Sequence, residues 1–329
     1  MRRRTLKRRK FRSRVLPGAL AWLLLLFAWL VVNPGESSAA DGASLERAVA
    51  AIEDFSKREA IEGSYFDMAL AASRLIDPTL DEKELRAQID EMAKTASREW
   101  EAATTSDAKM KALNRVVFQK YGFARADSPA PIVSGKGVYE TYSLPGVLKG
   151  KRGHCEGLST IYLLVAEQAN LPVSIVNLPI HSLCRLDLGN KPIYVECLRS
   201  GAPRSTAEIH EMNGARPAAL KSNVYLSPLT KKQFLCLHLN ALAYGLIKQD
   251  GGPKPLDMSQ MLRLAESIKR LDPNHPESLE TAALIHFKAG KPNRAREIIA
   301  HAIERAETYG TPRWVMAHYH KMQRQYQNE

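Results

Sequence analysis

The chain has 329 residues, 45% of them hydrophobic and 25% charged, which suffices for a buried core in about two to three domains and excludes a disordered chain. Its formal net charge of +12 would suit a nucleic-acid binder, but nine of the basic residues lie between Arg2 and Arg14, leaving only +3 elsewhere. The basic tail therefore reads as a topology signal, and no nucleic-acid partner is expected.

That tail precedes an apolar run at 15–32, which includes Leu20, Trp22, Phe27, Trp29 and Leu30. A basic segment followed by such a run is an export signal or an inside-positive membrane anchor. Ser38-Ala39-Ala40 presents small residues to a signal peptidase and favours cleavage before Asp41, whereas the run is as long as a minimal spanning helix, so both outcomes stay open. Either way the remainder is expected outside the cytoplasm, periplasmic or extracytoplasmic, anchored by 15–32 or released after Ala40. The membrane would be met only through this leading segment, 1–40.

Residues 41–123 predict a helical region. Leu45, Val49, Ile52 and Phe55 recur at helical spacing over 43–57. Further helices are expected over 66–76, stopped before Pro78, over 81–103 with Leu85, Ile89, Met92 and Ala93 as its inner stripe, and over 108–121, with Gly122 as C-cap. From 124 to 151 the residues Pro129, Pro131, Gly135, Gly137, Pro145, Gly146 and Gly150 break any period and predict a loop-rich approach. Tyr139 and Tyr142 read there as exposed or half-packed loop tyrosines, or else as hydroxyl donors to a substrate.

The chemistry is concentrated in 151–198. Gly153-His154-Cys155-Glu156-Gly157 delivers a cysteine to the start of a helix marked by Leu158, Ile161, Tyr162, Val165 and Ala169 and ended by Asn170-Leu171-Pro172. At such a position the unpaired N–H groups and the positive end of the helix dipole favour thiolate over thiol. A short strand over 173–178 follows, then two arms, 181–188 and 191–198, around a Gly189-Asn190 turn. Strand parity puts His181, Leu183 and Arg185 on one face. A two-residue turn sets Leu183 opposite Glu196, so that His181 and Glu196 become diagonal neighbours and the carboxylate can orient the imidazole.

Asp187 shares that face but lies about 20 Å along the strand from His181, too far to orient it. The same parity puts Cys184 and Cys197 together on the opposite face, as buried thiols in preference to a cross-strand disulfide. There is no CxxC pair, and His154, Cys155 and His181 lack recognised zinc spacing, so neither a metal nor a cofactor is assigned.

Residues 201–223 read as loop, with Glu208, His210 and Glu211 in solvent. Helices resume over 231–248, where Phe234, Leu237, His238, Leu242 and Leu246 recur, and over 259–271, closed by Asp272-Pro273-Asn274. Leu279, Ala282, Ala283, Phe287, Gly290, Ala295, Ile299 and Ala302 then reproduce the spacing of a helix-turn-helix repeat of about 34 residues. Its expected role is a helical cap or a protein-partner surface. Trp314, Tyr319 and Tyr326 suggest a final amphipathic helix.

Lys151 to Ser159, with Leu171-Pro172-Val173, Leu178-Pro179-Ile180-His181 and Ile193-Tyr194-Val195-Glu196, resembles the transglutaminase-like superfamily, and more closely its SirB-type branch. The likeness extends over 61–306. It implies an α+β fold with a papain/transglutaminase-like core, a helix packed on a small antiparallel sheet, at 124–223, N-terminal helices before it, and a tetratricopeptide-like helical tail at 224–329. It also implies the catalytic order Cys155, His181, Glu196, with Glu196 departing from the aspartate usual in the family. The expected function is an exported cysteine hydrolase or acyltransferase that acts on an amide or peptide bond of a protein or peptide substrate through a thioester. The alternative is a catalytically inactive scaffold for protein–protein interaction, since members of this branch often lack the cysteine.

Overall fold

The computed structural model describes residues 34–127, 137–213, 224–248 and 256–328. Residues Ser44–Glu329 form one compact unit; of Met1–Ala43 only the start of helix α1 (Pro34–Lys57) is described. The apolar run at 15–32 lies outside the described residues, among which no helix is long and apolar enough to cross a membrane.

Helices α2 (Tyr65–Ser73), α3 (Glu82–Glu101) and α4 (Ser106–Asn114) follow α1. Their starts are set by side-chain caps. The Ser64 hydroxyl accepts from the Asp67 N–H while the Asp67 carboxylate accepts from the Ser64 N–H, and Asp81 accepts from Lys83 and Glu84. The helix expected to run to Ile76 stops at Ser73, where tight turns at Leu75 and Ile76 replace helical bonds ahead of Pro78. The helix expected over 108–121 is α4 continued by a π-helical turn, Arg115–Lys120, and the chain leaves it through Gly122 at φ +73°, a conformation glycine adopts without steric cost.

The segment expected to be loop at 124–151 holds a two-residue strand β1 (Ala124–Arg125) and two short helices, α5 (Val138–Tyr142) and α6 (Leu144–Gly150); residues 128–136 are outside the described set. Its prolines and glycines hid them. The Ser143 hydroxyl caps α6 through the Gly146 N–H at 3.2 Å, and Pro145 sits in the first turn, where a missing N–H costs nothing. Strand β2 (Arg152–Gly153) pairs with β1 and leads directly into helix α7 (Cys155–Gln168).

Sequence spacing gives α7 a single apolar stripe, yet every residue from Glu156 to Ala166 is buried. The cause is enclosure: the sheet covers one side of α7 and helices α2, α3 and α6 cover others. That sheet is antiparallel, in the order β3 (Val173–Leu178), β4 (His181–Leu186), β5 (Ile193–Glu196), β6 (Ala202–Arg204). Cys184 faces Val195 and Arg185 faces Tyr194, the register that the two-residue turn requires. The arms are shorter than expected. Residues 187–192 loop out, and Cys197–Arg199 turns into a 3-10 helix that the Glu196 carboxylate caps.

Beyond Gly201 the structure again replaces expected loop, with β6 and helix α8 (Thr206–Asn213). Ser205 and Glu208 exchange a reciprocal cap, and Ile209 is buried, which leaves Glu208 and Glu211 exposed but draws His210 half into the surface. Leu226 and Leu229 donate to the Asn177 and Ile175 carbonyls and so cover the open edge of β3.

The C-terminal helices are α9 (Lys231–Lys248), α10 (Met258–Leu271), α11 (Pro276–Lys288), α12 (Pro292–Thr308) and α13 (Arg313–Gln327), each packed on the next. Helix α9 also packs on α2 and α5, so the C-terminal helices continue the same core. Tyr319 and Tyr326 are buried as an amphipathic last helix requires, while Trp314 is 52% exposed. The fold is α+β: a helix-rich chain around a small antiparallel sheet.

Candidate active site

Cys155 is the first residue of α7, preceded by His154 in extended conformation as its N-cap. Gly157 lets this helix end approach α5. A Cβ there would stand 2.4 Å from the Thr141 carbonyl oxygen and 2.9 Å from Val147 Cγ2, so any side chain would push the cysteine out of place. Cys155 is partly exposed, whereas Cys184, Cys197 and Cys236 are buried.

His181 opens β4 and Glu196 closes β5. His181 Nε2 lies 2.8 Å from Glu196 Oε2, and the ring shares a cavity wall with Cys155, whose side chain acts on it electrostatically. The second carboxylate oxygen of Glu196 accepts from the Leu198 N–H at 3.0 Å, which fixes the longer glutamate arm from behind. The structure thus brings together all three residues that strand parity and motif order select.

Their electrostatics agree with this geometry. Burial works against charge on His181, but its interactions with the neighbouring Cys155 and with Glu196 outweigh it and raise its pKa from 6.5 to about 10. Burial likewise works against the Glu196 carboxylate, and its bond to His181 more than compensates, holding it below the usual range. Both shifts favour the charged pair, imidazolium against carboxylate.

The residues set aside on sequence grounds are engaged elsewhere. Asp187 pairs with Arg185 at 2.8 Å. His154 is buried, with its ring centroid 5.7 Å from that of Tyr142. Cys184 and Cys197 are buried free thiols with sulfurs 3.7 Å apart. Among the described residues no group of three or more histidine, cysteine or acidic side chains is arranged to hold a metal ion.

Cys155 and His181 line a cavity of about 520 Å³, within the range of ligand pockets. Tyr142, Ile180 and Ser182 belong to the same wall, and Tyr142 is a buried helical residue whose phenol burial pushes strongly up, not a half-packed loop tyrosine. The facing wall comes from the C-terminal helices: Leu237, Ala241 and Tyr244 of α9, Glu277 and Glu280 of α11, Trp314 of α13. Glu280 accepts from His318 at 2.8 Å.

Sequence reasoning missed this second wall. It also missed the buried link beneath the cysteine, where His238 Nδ1 stands 3.1 Å from Glu156 Oε1 and His238 Nε2 stands 2.9 Å from Thr160 Oγ1. The one available signal was a histidine within the apolar stripe of the 231–248 helix. Glu277 gave none beyond an acidic residue in a first helical turn.

Residues 83–240 match the Transglutaminase-like superfamily. The transglutaminase-like region so defined contains Cys155, His181, Glu196 and His238 and ends before Glu277. Two curated relatives, each called UPF0162 protein and from Xylella fastidiosa strains Temecula1 and 9a5c, are 24% identical over 233 and 239 residues. Those alignments cover 68% and 69% of this chain and 76% and 79% of the relatives. Among solved structures the chain is similar to menin, in a crystal structure described as revealing the binding site for Mixed Lineage Leukemia (MLL) protein, with a TM-score of 0.50 and 12% identity. That similarity, which concerns fold alone, covers 81% of this chain, and the chain spans 62% of that menin chain.

Proposed function

We propose that the chain is a transglutaminase-like thiol enzyme that transfers an acyl group from an amide or ester through a thioester on Cys155. The carrying observation is that Cys155 and His181 share one cavity wall while Glu196 holds the imidazole from behind by a 2.8 Å hydrogen bond. In this reading the Cys155 sulfur attacks the carbonyl carbon, and the first-turn N–H groups of α7 stabilise the oxyanion. His181 gives its proton to the leaving amine as the C–N bond breaks, and Glu196 holds the ring in the required orientation. Water then releases an acid, or a second amine releases a new amide, with His181 taking the incoming proton. The basic tail and apolar run support an activity outside the cytoplasm, which fractionation of the tagged full-length chain tests.

The decisive experiment is mass spectrometry of the purified chain after exposure to an activated acyl ester and to peptide amides. The expected result is an acyl adduct on Cys155 that turns over, absent in Cys155→Ala and strongly slowed in His181→Ala. Acylation that is indifferent to His181 overturns the proposal and leaves the binding scaffold as the reading.

A further inference from the structure

We propose that Glu277, on α11 and outside the transglutaminase-like region, is a positioning residue for His181: its carboxylate holds the backbone corner that aims the imidazole at Cys155. The inference rests on the thiol-enzyme reading. Strands β3 and β4 are joined by only Pro179 and Ile180, with Leu178 paired directly to His181. The corner's second residue has φ +54°, a left-handed conformation that suits glycine or asparagine and is an outlier for a β-branched isoleucine. Such a conformation persists where its surroundings hold it. Here the Ile180 N–H, the group immediately before His181, donates to Glu277 Oε1 at 2.9 Å.

Two carboxylates therefore fix the histidine from opposite ends. Glu196 binds the ring tip from within the sheet, and Glu277 binds the preceding peptide from the C-terminal helices. Glu277 and Ile180 both line the cavity that Cys155 and His181 open into, so this bond is part of the site wall. Burial pushes the Glu277 carboxyl up, and its neutral form still accepts through the carbonyl oxygen. An isosteric amide keeps that acceptor, whereas a shorter acid withdraws it. The C-terminal helices thus have a role in the chemistry itself: without them the corner before His181 loses its tether.

The test uses the full chain and measures the second-order rate of Cys155 alkylation by iodoacetamide at about pH 7, together with the thermal midpoint, for the parent, His181→Ala, Glu277→Ala, Glu277→Gln and Glu277→Asp. A displacement of the ring by about 1 Å predicts a loss of about 10- to 100-fold in rate for Glu277→Ala and Glu277→Asp. Glu277→Gln should retain the parental rate. If Glu277→Ala does not fold, the contrast between Gln and Asp carries the test. Equal rates in Glu277→Gln and Glu277→Asp, or a parental rate in Glu277→Ala, overturn the role of Glu277 while a slow His181→Ala leaves the thiol-enzyme reading standing. A parental rate in His181→Ala overturns that reading itself.

Discussion

His181 and Glu196 meet at 2.8 Å from strands β4 and β5, whose register places them one diagonal step apart. The pair is almost wholly withdrawn from water, with side chains 11% and 3% exposed, and this turns the hydrogen bond into a pH-dependent contribution to stability.

The sign follows from the two shifts. His181 is raised from 6.5 to about 10, so its contribution is complete below about pH 6.5 and disappears as pH climbs through about 10. Glu196 is lowered, so its contribution is present above the ordinary carboxylate range and is lost as acid protonates it. Urea unfolding of the parent and Glu196→Gln should therefore differ by about 2 kcal/mol near pH 7 and converge at pH 10.5 and above. Alkylation of Cys155 should show a transition near pH 10 that is absent in His181→Ala.

Accessibility distinguishes the four cysteines. Cys184, Cys197 and Cys236 are buried, and burial pushes the Cys197 and Cys236 thiols up, which removes the thiolate that alkylating agents need. Native protein treated with iodoacetamide should carry a single label, on Cys155, by peptide mapping, and denatured protein should carry four. Rapid native labelling of Cys184 or Cys197 would contradict the burial of that face of the sheet.

What the sequence makes legible here follows from local rules. Strand alternation is a strict period of two, so a register centred on Gly189-Asn190 brings His181 to Glu196 and Cys184 to Cys197, even though the connection itself is the wider loop 187–192. Helix periodicity likewise locates α3, α7 and α9. Short helices such as α5 and α6 escape because they contain too few residues to show a period and are rich in the same Pro and Gly that mark loops. The second wall of the cavity escapes for a different reason. Glu277 lies 97 positions from Ile180, and no local pattern reports a contact made only by tertiary packing.

Gly157 offers a direct test of how tightly the cysteine is placed. In Gly157→Ala the new methyl would meet the Thr141 carbonyl, a backbone atom that cannot swing aside. The expected cost is about 1–3 kcal/mol in chemical denaturation, with slower alkylation of Cys155 in the protein that remains folded. A variant of parental stability and reactivity would mean that α5 yields freely and that this contact does not position the nucleophile.

The link between Glu156, His238 and Thr160 should be a structural fastening between α7 and α9. Burial pushes the Glu156 carboxyl up despite the histidine beside it, and Glu156, His238 and Thr160 are 4%, 2% and 2% exposed. Removing the imidazole in His238→Ala leaves an acidic group and a hydroxyl without it and also removes the ring packed 4.6 Å from Phe234. A loss of about 3 kcal/mol is expected by urea unfolding. Glu156→Gln keeps the volume and one hydrogen-bonding arm and should cost less. A double-mutant cycle between the two positions should return a coupling of about 1 kcal/mol or more, because the two side chains stand 3.1 Å apart in a buried site. Strict additivity would show that His238 acts through Phe234 and Thr160 alone, leaving Glu156 free to serve the cavity that it also lines.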